Sequence, residues 1–144
     1  MVENVIKHHE EVASAAIPVF QAAEKIAANS GLIHNDDTTV KIIDVIHHNR
    51  TTPDKVRTGM FTTGIFARND GREIALFYNG TRHAGENLER LLEKRDPDQP
   101  KAIQMCDALS RNTSSSFETI LCNCLSHGFR KFNDLKDFYP KLCF

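Results

Sequence analysis

Residues 60–78 read MFTTGIFARNDGREIALFY. Two apolar, β-prone runs flank Asn69-Asp70-Gly71. A turn of that composition between such runs signals an antiparallel hairpin. Upstream, residues 32–45 are rich in Val, Ile and Thr, and Thr38, Val40 and Ile42 alternate with Thr39, Lys41 and Ile43 as a pleated strand requires. Residues 46–58 (IHHNRTTPDKVRT) are polar, contain Pro53 and read as a loop. The segment 32–78 therefore predicts a meander of three antiparallel strands.

Beyond Tyr78 the period changes. Leu88, Leu91 and Leu92 share one helical face within residues 83–95, and Asp96-Pro97-Asp98-Gln99-Pro100 closes that helix. Residues 102–106 form a short, nearly all-apolar run, the pattern of a parallel strand buried on both faces. A loop at 112–116, a short strand at 119–124 and a basic amphipathic helix at 126–138 follow. At the other end, residues 2–29 carry apolar residues three and four apart, with Pro18 expected to split or kink the helix and Asn29-Ser30-Gly31 to stop it. Three strands in a row, then alternation with helices, predict an α/β fold with a mixed five-stranded sheet. We expect an N-terminal helical segment over 1–30 and a core over 31–144.

Composition narrows the function classes. The 144 residues suit one domain, with 40% hydrophobic and 26% charged residues. Eighteen basic against nineteen acidic residues give a net charge of −1, which excludes a strongly basic coat for nucleic acid but not a local basic groove. No run approaches the roughly 20 apolar residues of a membrane span, and the charged start MVENVIKHHE does not read as a signal peptide. Four cysteines, Cys106, Cys122, Cys124 and Cys143, are too few for a disulfide scaffold and fit a reducing, cytoplasmic compartment.

The acids carry the chemistry. Asp36-Asp37 falls inside the first strand pattern, and Asp107 follows the run 102–106 directly. Carboxylates are depleted in strands and costly to bury unpaired. If the first and fourth strands are parallel neighbours, one acid from each meets at one edge, where mutual repulsion favours a divalent cation with oxygen ligands. The plainer reading makes Asp36 the start of a strand and Asp107 a cap for the next segment.

Five stretches then fall into a recognisable order: HNDDTTVKIID, RTGMFTTGIFA, LFYNGTRHAGENLERLLEKR, IQMCDALSRN and CNCLSHGFRKF. In content and spacing the chain resembles the DDE transposases of the insertion-sequence-sixty-six type, whose catalytic core is ribonuclease-H-like. The resemblance covers most of the chain. It implies catalytic, metal-binding roles for Asp36 and Asp107, with Mg²⁺ or Mn²⁺ as cofactor. It also implies double-stranded DNA (transposon ends and target) as partner, a homo-oligomer, and a bacterial, nucleoid-associated location away from membranes. The family's third acid is a glutamate on a later helix. Neither Glu118 nor Asp134 occupies that position, so the expectation is a fragment, a core incomplete at its C-terminus, with strand transfer absent or very low.

The remaining motifs have quieter readings. Cys122, Cys124 and His127, with Cys106 or Cys143 as a distant fourth, offer zinc ligands, but without clear paired spacing a buried thiol and a helix-start histidine are favoured. His127, Arg130 and Lys131 are the preferred DNA contacts, ahead of Arg50, Lys55, Arg57 and Arg82. Gly85-Glu86-Asn87 suggests capping more than phosphate binding. Phe61, Phe66, Phe77, Phe117, Phe129 and Phe132 are expected in the core. An uncovered sheet face, an exposed apolar patch and self-association are expected from the missing helices. The leading function is an inactive or weakly active part of a transposase catalytic domain performing metal-dependent phosphodiester cleavage. The alternative is a non-catalytic domain that binds DNA or pairs with transposase as a regulator.

Overall fold

The computed structural model describes residues 2–41, 47, 51 and 59–141. Ile42, Ile43, Arg50, Lys55, Arg57 and Cys143 lie outside the described residues. In chain order the elements are α1 (Val2–Ala28), β1 (Leu32–Val40), β2 (Met60–Asn69), β3 (Arg72–Gly80), α2 (Ala84–Leu92), β4 (Ile103–Cys106), a 3-10 turn (Ser110–Asn112), β5 (Ile120–Asn123) and α3 (Leu125–Leu135). No described helix is long and apolar enough to cross a membrane.

The strands form one sheet in the order β3-β2-β1-β4-β5. β1, β2 and β3 pair antiparallel in sequence, whereas β4 runs parallel to β1 and β5 parallel to β4. This is the mixed sheet expected of a ribonuclease-H-like core. The β2–β3 hairpin turns on two residues, Asp70 (φ 47°) and Gly71 (φ 77°). Left-handed backbone at both central positions matches the twist of the flanking strands, and Asp-Gly supplies it at little steric cost.

One face of the sheet is covered. Ile33 of β1, Ile65 and Ala67 of β2 and Leu76 of β3 meet Leu88, Leu91 and Leu92 of α2, with Ala27 and Ala28 of α1 and Ala102. Each large apolar side chain fully buried there contributes about 1.5–3 kcal/mol. Only the last turns of α1 join this core; residues 4–22 are exposed. Glu24 accepts from the Tyr78 hydroxyl at 2.9 Å and pairs with Lys94. Arg95 donates to the carbonyl of Ser30 at 2.9 Å and to those of Ala28 and Pro100. These bonds tie the end of α1 to the end of α2 and to the approach of β4.

Among the described residues the opposite face is open, and two expectations are corrected by it. β4 is not buried on both faces: Gln104 and Cys106 are buried, but Ile103 is exposed and Met105 only half-buried. Phe66, Phe77, Phe129 and Phe132 do not enter the core; Phe77 is 66% and Phe129 71% exposed. Of the six phenylalanines, Phe117 packs partly against the core and Phe61 is half-buried. The physical reason is alternation. Phe66 and Phe77 project from the face away from α2, and no residue of α3 is buried. Pro18 does not split the N-terminal segment either, since it lies inside the unbroken α1.

Candidate active site

The parallel pairing of β1 and β4 places Leu32 beside Ile103, Ile33 beside Gln104 and His34 beside Met105. Two residues further on stand Asp36, which shares the face of His34 by strand alternation, and Asp107, which lies one residue past the end of β4. They line one open cleft of about 340 Å³ together with His34, Gly64, Phe77, Met105, Cys124 and His127. Gly64 pairs with Asp36 across β1–β2, so the position beside this acid carries no side chain. Burial pushes the Cys106 thiol up, and the carboxylates of Asp107 and Asp36 and the Cys124 thiol push it further. Both acids thus act on the same buried group.

The two acids are held differently. Asp36 is exposed, and among the described residues its Oδ1 accepts only from the next backbone N–H, that of Asp37, at 2.9 Å. Asp107 follows β4, and its Oδ1 accepts from the Leu109 N–H at 3.1 Å and from the Asn112 side-chain amide. Asp107 thus makes a local side-chain turn to Leu109, alongside its place in the cleft, and does not itself cap the 3-10 turn, whose N-cap is Leu109. Behind the cleft, a buried amide cluster of Asn35, Gln104 and Asn112 links β1, β4 and the 3-10 turn. Sequence reasoning missed this cluster. Polar residues at inward positions of short strands were its one available signal.

Asp37, next to Asp36, faces the other way. Its side chain is 3% exposed and accepts from Thr63 at 2.6 Å, from the Ala84 N–H at 2.8 Å and contacts His83 Nδ1 at 3.2 Å. It therefore satisfies a free donor at the start of α2 and favourably meets the positive end of the helix dipole. Glu86 accepts from the His83 N–H at 2.9 Å, completing the cap. With carboxylates in these positions, Gly85-Glu86-Asn87 performs the capping role and offers no anion cradle. Gly85 is required by packing, because a Cβ there would stand 2.3 Å from the Thr113 carbonyl oxygen.

His127 enters the cleft from α3, whose N-cap is Cys124. Backbone and side-chain hydrogen bonding from His127 holds the Cys124 thiol below its usual range, and the Ser126 N–H adds to this. A thiol at a helix N-terminus beside histidine is a setting that favours thiolate. Arg130 and Lys131 are exposed on α3 outside the cleft lining. Among the described residues, no three His, Cys, Asp or Glu side chains gather closely enough to hold a metal ion. Cys122, Cys124 and His127 thus form no zinc site there. Asp36 and Asp107 stand as a pair of hard oxygen donors, and Glu118 pairs instead with Lys101.

The profile of the Transposase IS66 family matches residues 2–142. The chain belongs to this family. Transposase function in general follows from that membership. No curated protein and no solved structure gives a significant match.

Proposed function

We propose that this IS66-family chain acts on transposon DNA through the open face of its sheet, with Asp36 and Asp107 as the catalytic, cation-holding pair. The observation that carries this reading is the convergence of both carboxylates on one cleft from parallel neighbouring strands. Their donor chemistry fits Mg²⁺ or Mn²⁺, which accept one or two protein carboxylates and complete their shell with water and phosphate oxygens. A cation bound there would polarise a phosphodiester and offset its developing negative charge.

The side chains divide the remaining work. Asp36, held among the described residues only by its own local bond, is able to turn toward an incoming ion. Asp107 is fixed from behind. His127 lies in the same cleft, within reach of a phosphate bound between the acids. Arg130 and Lys131 contact the DNA backbone alongside. Each phosphate contact releases counterions and makes affinity fall with salt. The exposed apolar face supports a second copy of the chain as a further partner.

One rival reading is a DNA-binding or transposase-pairing regulator that does not cut. A labelled transposon-end duplex incubated with Mn²⁺ separates the two. Nicking that vanishes in Asp36→Asn supports the catalytic reading, whereas binding without nicking at any enzyme concentration supports the regulator.

A further inference from the structure

Asn112 ends the 3-10 turn and is 1% exposed. Its backbone carbonyl accepts from Asn35 Nδ2 at 2.7 Å and from Gln104 Nε2 at 2.8 Å. Gln104 Nε2 also reaches Asn35 Oδ1 at 2.9 Å, and Gln104 Oε1 accepts from Thr119 at 2.8 Å. The main chain at this point is therefore fixed by side chains from β1 and β4, without help from the Asn112 side chain.

That side chain does something else. Its Nδ2 donates to Asp107 Oδ1, while its own Oδ1 is buried and meets no donor among the described residues. A buried carbonyl without a donor is unfavourable, so packing alone does not account for an amide here. Charge accounts for its direction, because the flipped amide would set oxygen against a carboxylate oxygen. The Leu109 N–H converges on the same Asp107 Oδ1 at 3.1 Å. Two donors thus hold one oxygen of Asp107, and its Oδ2 carries no hydrogen bond among the described residues.

We infer that Asn112 is a positioning residue that clamps Oδ1 of Asp107 so that Oδ2 is presented to a divalent cation in the cleft. This rests on the reading of Asp36 and Asp107 as the cation-holding pair. Donors behind a ligating carboxylate commonly change metal affinity by about 10–100-fold.

Asn112→Leu tests it, because leucine keeps the volume, removes the unpaired carbonyl with the amide, and leaves the backbone anchor intact. Mn²⁺ binding to the full chain is measured by electron paramagnetic resonance, with thermal melting alongside, in Asn112→Leu, Asp107→Asn and the double variant. The expected result is affinity weakened about tenfold or more in Asn112→Leu, a melting temperature held or raised, and a double variant no weaker than Asp107→Asn. Unchanged affinity in Asn112→Leu, or additive losses, overturns the inference. If Asn112→Leu does not fold, Asn112→Ala carries the same comparison. A metal-free readout separates the two layers of the argument. The Asn112 side-chain amide resonances are expected to move in Asp107→Asn, and amides that do not move sink the clamp while leaving the cation pair standing. Moving amides in a wild-type chain that takes up no Mn²⁺ overturn the cation reading, and the positioning role falls with it.

Discussion

Asp36 and Asp37 are consecutive in β1 and serve opposite faces of the sheet: Asp36 lines the open cleft, and Asp37 is locked under the start of α2. The pleat alone enforces this division. Replacing them should therefore have unlike effects. Asp37→Ala strips partners from Thr63 and the Ala84 N–H and removes a helix cap, at a cost of about 3 kcal/mol. Asp36→Ala should stay within about 0.5 kcal/mol of wild type. Chemical denaturation of the two variants checks the contrast, and equal losses would contradict it.

Salt dependence reports on α3. The Arg130→Ala, Lys131→Ala double variant should bind a duplex more weakly at low salt. Its plot of log affinity against log salt should also be shallower by about 1.8, since each phosphate contact contributes roughly 0.9. Fluorescence anisotropy over a salt series measures both. An unchanged slope places the DNA elsewhere.

Gly85→Ala should be far more damaging than a helix-favouring substitution has any right to be. Alanine ordinarily stabilises a helix relative to glycine by about 1 kcal/mol. Here its methyl group would meet backbone oxygens of Thr113 and Arg111, which must move. We expect a net loss of about 2 kcal/mol, together with a weaker grip on Mn²⁺ because the displaced loop carries Asn112. Melting and Mn²⁺ titration test the two parts separately.

Thiol chemistry should distinguish Cys124 from Cys106. A lowered pKa leaves more thiolate at neutral pH, and a raised one leaves less. Iodoacetamide at pH 7 should label Cys124 first and Cys106 last. In His127→Ala, the pH at which Cys124 reactivity is half-maximal should move upward. Peptide mapping of the alkylated protein over pH 5–9 reads both, and equal labelling of the two thiols would refute the assignment.

Much of this architecture was legible in the chain. The Asp70-Gly71 turn, the Leu88, Leu91 and Leu92 face and the three-strand meander followed from local chemistry and period. The place of β4 beside β1 was a condition that only the family resemblance filled. The same pattern that marks Phe66 and Phe77 as strand residues is silent about which face another layer covers, and so they were assigned to a core they do not enter. The role proposed for Asp36 comes from family resemblance, and its place in the cleft from the strand pairing. The role of Asp37 was not legible, because its partners at Thr63 and Ala84 are brought to it by tertiary packing. Asn112 left no periodic trace, since a loop residue held by its own carbonyl obeys no repeat.

The apolar open face has a colloidal consequence. Phe77→Asp should reduce association between copies, and light scattering at rising protein concentration should show a smaller mean mass than wild type. A wild-type chain that stays monomeric throughout would remove the second copy from the proposal.

Asn35 and Gln104, hydrogen-bonded across β1 and β4, are 69 positions apart in the chain. Distant pairings of this kind are slow to assemble, whereas the β2–β3 hairpin closes locally on its two-residue turn. A nascent polypeptide would therefore begin its sheet early, and the cleft between Asp36 and Asp107 would take shape only when the fourth strand docks.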